Sequence, residues 1–76
     1  MVSKAEYVGA VNMALKSMSI KRQVYWLGVA DAYMGELEFD YGDAELSKDK
    51  EVNDARLLFK QLWRSVMESD TDKGAE

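Results

Sequence analysis

MGELEFDYGD, residues 34–43, fits two different structures. Leu37, Phe39 and Tyr41 alternate with Glu36, Glu38 and Asp40, which is the period of a half-buried β-strand. Yet Gly28, Gly35 and Gly42 fall at intervals of seven, about two turns of an α-helix. Written in sevens from Leu27, the chain becomes LGVADAY, MGELEFD, YGDAELS. The first place holds Leu27, Met34 and Tyr41, and the fourth holds Ala30, Leu37 and Ala44. The second place is always glycine and the fifth always acidic: Asp31, Glu38, Glu45. First and fourth places together make an apolar seam of the kind that packs one helix against another. A strand gives no reason for that spacing. The competing arrangement pairs QVYWL, residues 23–27 and rich in strand-favouring side chains, with residues 36–41. It would give an α+β fold of helix–β-hairpin–helix order. No turn dipeptide of the hairpin type separates those two runs, however, and a lone two-stranded sheet is marginal in water. The spacing therefore predicts a helix over residues 20–41.

Two further helices flank it. Before it, Ser3 and Glu6 have the spacing of a capping box, which opens a helix over residues 3–17. Val8, Val11, Leu15 and Met18 recur at helical intervals, with Tyr7, Ala10 and Ala14 beside them. Ser19 is placed to cap the second helix, although Lys21 and Arg22 stand where the helix dipole prefers acids. After it, Gly42 is the residue to end the second helix in the left-handed conformation, and Asp43 to cap the next segment. Residues 44–49 read as a turn or a single helical turn. Val52, Ala55, Leu58, Phe59, Leu62, Trp63 and Val66 then form one stripe of a third helix, residues 49–69. The expected fold is an all-α, three-helix small domain over residues 1–69, followed by a disordered acidic tail at 70–76. Trp26, Phe39, Phe59 and Trp63 are assigned to its core. The second helix is apolar on nearly every side, so either it is sandwiched centrally or it shows a patch to a partner.

Composition narrows the chemistry. The 76 residues include no Cys, His or Pro, and 47% are apolar. A domain of this length buries only about 60% of its unfolded surface and has no disulfide to reinforce it. Without His, the commonest general base and transition-metal ligand is missing, and no serine has a nucleophile-elbow context. Residues 40–51, DYGDAELSKDKE, have the length of a calcium loop. Gly42 and Ala44 stand where side-chain oxygens belong, and Glu45 stands where the sharp turn needs glycine. The glycines lie among acids, which would repel phosphate. No enzyme activity, metal or cofactor is expected. The residues MVSKAEY lack the apolar core of a signal peptide, and no apolar run has the length of a membrane span. A cytoplasmic location is expected.

Charge layout carries the functional expectation. The net charge is −4, and residues 31–45 contain six acids and no base. Asp31, Glu36, Glu38, Asp40, Asp43 and Glu45, with Tyr33 and Tyr41 among them, form the candidate partner-binding set. Acids steer toward a basic surface and aromatics anchor there; the plainer reading of such a run is a solvated helix face that keeps a small protein soluble. The expected function is a small acidic protein-binding module, an inhibitor or adaptor that docks on a basic site of another protein. A phage-type anti-defence protein or a nucleic-acid-mimicking inhibitor is one form of it, by analogy of composition alone. The first alternative is a helical DNA-binding regulator using Lys16, Lys21 and Arg22. That alternative suffers because the helix after them turns acidic, where a recognition helix offers Arg, Lys, Asn or Gln. The second is a structural homo-oligomer, such as a homodimer, built on the heptad seam. Separately, the small residues Gly28, Ala32 and Gly35 would let a partner helix or a second copy approach the helix backbone closely.

Overall fold

A computed structural model describes residues 2–75, with side chains described through residue 68. The described chain forms four helices in order: α1, Lys4–Lys16; α2, Ile20–Tyr41; α3, Asp43–Ser47; α4, Lys50–Ala75. No strand occurs among the described residues, so the fold is an all-α small domain and the hairpin alternative is overturned. The stretch 34–41 closes a helix. The heptad seam holds over most of its length: Leu27, Ala30 and Leu37 have no solvent exposure and Met34 packs against the core. Tyr41, however, is 43% exposed, and Ala44 lies exposed on α3, past the Gly42 break.

Local signals in the sequence set most boundaries. The Ser3 hydroxyl accepts from the Glu6 N–H at 3.1 Å, and the Ser3 N–H donates to the Glu6 carboxylate at 3.1 Å. Two of the amides that a helix start leaves without partners are thereby satisfied. The Ser19 hydroxyl accepts from the Arg22 N–H at 3.2 Å and opens α2 in spite of the cations in its first turn. Gly42 ends α2, but in a different conformation from the expected one. Its φ of 82° is paired with a ψ of 154°, an extended mirror-image region that only glycine enters without strain. Its N–H donates to the Glu38 carbonyl at 2.9 Å, and its own carbonyl accepts from the Leu46 N–H at 3.2 Å. One residue thus closes α2 and opens α3. The capping duty expected of Asp43 falls to Gly42, and Asp43 is the first residue of α3. Asp49 caps α4, its carboxylate accepting from the Val52 N–H at 3.2 Å.

The core is built on short side chains. From α1 come Tyr7, Ala10, Val11 and Ala14, and from α2 Leu27, Ala30 and Leu37. α3 adds Leu46, and α4 adds Val52, Ala55, Leu62 and Val66. Ala10 and Ala14 of α1 and Ala30 of α2 are among the buried residues. The core face of α1 differs from the expected stripe: Val11 is buried, but Leu15 is 51% and Met18 99% exposed. Met18 lies beyond the end of α1, in the Ser17–Ser19 connection where Ser17 is already extended. The backbone of α4 continues to Ala75, past the expected end near residue 69. The expectation of a disordered tail at 70–76 falls on residues whose side chains, and for residue 76 the backbone, lie outside the described part. The molecule measures 43 × 19 × 18 Å.

Candidate functional site

α2 is not sandwiched. It turns one face to the core and the opposite one to solvent, and the outward face is not uniformly polar. Phe39 is 91% exposed, Tyr25 64% and Val24 37%. Phe39 therefore leaves the core to which its composition assigned it. The reason is angular: Phe39 is two residues from Leu37, about 200° around the helix, so a buried Leu37 turns Phe39 outward. Gly28, Ala32 and Gly35 lie on that same face and are exposed. A Cβ added at Gly28 or Gly35 would meet nothing within 4 Å. An open dent beside Phe39 is lined by Ala32, Gly35, Glu36, Phe39 and Asp40.

The acidic run separates into groups. Arg56 of α4 donates from one guanidinium nitrogen to Glu38 at 3.2 Å and to Asp43 at 2.8 Å. These two acids are held against a cation of the same chain and fasten α4 to α2 and α3. Both remain solvent-exposed, so the fork contributes less than about 1 kcal/mol. Tyr41 is also engaged, with the Lys4 ammonium 4.7 Å from its ring centroid. Lys4 lies 3.6 Å from Asp49 as well, so it joins the starts of α1 and α4 to the end of α2. Tyr33 is half-buried against the core. Glu36 and Asp40 flank the dent beside Phe39, and they and Asp31 form no ion pair with the described residues. Glu45 lies exposed on α3, beyond the Gly42 break, so the edge shared by Asp31 and Glu38 on α2 does not continue to it as one helix.

Three basic residues gather at the α1–α2 connection. Lys16, Lys21 and Arg22 are exposed around the α1–α2 connection, where Lys16 and Arg22 line an open hollow with Met18 and Trp26. Gln23, the amide side chain nearest them, donates to the Ala14 carbonyl at 3.2 Å and is held inside the molecule. Among the described residues no cluster of three or more acidic side chains has the spacing to hold a metal ion. No described helix is long and apolar enough to cross a membrane. Comparison with known proteins gives no matching family model, no matching curated protein and no matching solved structure.

The surface that emerges overlaps the expected set only in part. It keeps Glu36 and Asp40 and adds Phe39, Tyr25 and the small residues between them. Side-chain character alone assigns Phe39 to the core, whereas the helix read over residues 20–41 already sets it about 200° from Leu37 and off the seam.

Proposed function

We propose that the protein is a small protein-binding module, acting in the cytoplasm as an inhibitor or adaptor that docks on a basic surface of another protein. The observation that carries this reading is Phe39, a fully presented aromatic between two acids that have no partner among the described residues. A phenylalanine at that position does nothing for the core and exposes apolar area to water at a cost. Buried in a partner's pocket, it becomes the kind of central anchor that dominates binding energy, while Glu36 and Asp40 attract a basic rim. Aromatic docking is favoured over imitation of a phosphate backbone. Mimicry depends on a row of unpaired acids, and Arg56 holds Glu38 and Asp43 within the chain.

Immobilised protein should capture a basic partner from the lysate of its source, and salt should weaken the capture. Phe39→Ser should abolish it, and Glu36→Lys with Asp40→Lys should weaken it at least about tenfold. Both changes lie on exposed positions, so the helical circular dichroism should stay unchanged. Capture that is indifferent to all three substitutions would overturn the reading.

A further inference from the structure

The outward face of α2 is complementary to itself, and we infer that it seats a second copy of the chain in antiparallel order. The inference rests on the reading of this face as a docking surface and names an occupant for it.

Four observations converge. First, the exposed aromatics are placed symmetrically. Tyr25 and Phe39 lie seven residues before and after Ala32, about 10 Å each way along the axis. With a twofold axis passing beside Ala32, Phe39 of each copy lies level with Tyr25 of the other. The pairing covers the two large apolar side chains that the monomer leaves most exposed on α2.

Second, the charges run in opposite senses along the same helix. Lys21 and Arg22 stand in its first turn, and Glu36 and Asp40 near its end. An antiparallel pair sets each basic end against the acidic end of the other copy, whereas a parallel pair aligns like with like. The match extends to register. Arg22 lies ten residues before Ala32 and Asp40 eight after it, about 15 and 12 Å along the axis. Ten residues back and eight forward both end about 80° around the helix from Ala32, on the same flank. Rotation about the twofold axis keeps that flank in common, and Arg22 of one copy meets Asp40 of the other.

Third, Gly28 and Gly35 are not required by any close contact among the described residues. Each weakens the helix by about 1 kcal/mol relative to alanine, yet nothing lies above either one. With Ala32 they make the middle of the face low enough for a second helix backbone to approach. Fourth, the dent beside Phe39 has the apolar floor of Ala32 and Gly35 needed to receive an aromatic ring from outside. The chain thus supplies in the first half of α2 the basic and aromatic surface that the second half requires of a partner. A heterologous partner docks by displacing the second copy.

The chain lacks cysteine, which permits a direct test of register. Ala32→Cys should form a disulfide-linked dimer on mild oxidation, because the twofold axis brings the two copies of residue 32 together. Phe39→Cys should not link to itself but should link to Tyr25→Cys when the two variants are mixed. Sedimentation of the unmodified protein should show a monomer–dimer equilibrium, which Phe39→Ser weakens at least about tenfold. Arg22→Glu should weaken it about tenfold, and Arg22→Glu combined with Asp40→Arg should recover most of the loss. Gly28→Ala with Gly35→Ala should raise helix stability and still weaken the dimer, a pairing of effects that a purely structural role would not give. A strict monomer at millimolar concentration, or self-linking of both Phe39→Cys and Tyr25→Cys, overturns the inference. If that happens while Phe39→Ser still abolishes partner capture, only self-association falls. If Phe39→Ser changes neither measurement, the docking surface falls as well.

Discussion

Tyr7 is 1% exposed and carries the largest side chain of the closed core. Burial pushes its phenol from the ordinary 10.0 up to about 12; Arg56 pulls it down, and Asp31 and Glu38 add to the rise. The unfolded phenol thus loses its proton near pH 10 and the folded one near 12. Between these values the unfolded state binds fewer protons, so stability is complete below pH 10 and falls as pH rises through 12. The loss should reach about 2–3 kcal/mol, as a two-unit shift implies. Urea denaturation from pH 9 to 12 checks it: Tyr7→Phe should lose less over this range than the unmodified chain. Gly42 shows how residue and fold divide the information. A break at Gly42 is legible because glycine ends helices. Its ψ of 154° is not, because that angle is set by α3 turning back to place Leu46 in the core.

Among the helices, α2 offers a controlled comparison within one element. Leu37 and Phe39 are both large and apolar, two residues apart, one with no exposure and the other 91% exposed. Leu37→Ala should cost about 2–5 kcal/mol of unfolding free energy, through lost transfer energy and the cavity left behind. Phe39→Ser should change the stability of the monomer by no more than about 0.5 kcal/mol. Urea melts at low protein concentration distinguish the two, and equal losses would contradict the placement of these faces. The starts of α1 and α2 were the most legible features of the chain, since Ser3 and Ser19 act on amides three residues away. The capping by Asp49 was not read from the sequence, and that expected of Asp43 fell to Gly42. The core face of α1 was legible only in part: Tyr7, Ala10, Val11 and Ala14 are buried and Val8 packs against them, but Leu15, with its larger apolar side chain, is 51% exposed.

Across the molecule as a whole, charge is arranged lengthwise. Lys4, Arg56, Glu38, Asp43 and Asp49 join all four helices near one end, and Lys16, Lys21 and Arg22 stay exposed around the α1–α2 connection. A thin core with an uncovered aromatic face links stability to association. Because dimerisation binds only the folded chain, the melting temperature should rise with protein concentration. Phe39→Ser should remove that dependence, and calorimetry over a hundredfold concentration range, about 2.7 kcal/mol in mass-action terms, measures it. A melting temperature independent of concentration in both proteins would count against the self-docked state.

Residue order and spacing were enough to establish the helical class, the starts of α1 and α2, most of the seam of α2 and the break at Gly42. All of these rest on interactions within about one or two turns of chain, where spacing translates directly into geometry. Which acids are available was settled only by the packing of distant segments. Glu38 and Asp43 look no different from Glu36 and Asp40 along the chain, but Arg56, 18 and 13 residues away, reaches only the first pair. The same packing left α2 covered on one side. A helix that is apolar all round does not state how many neighbours it has; with Leu27, Ala30 and Leu37 turned to the core, Tyr25 and Phe39 face out.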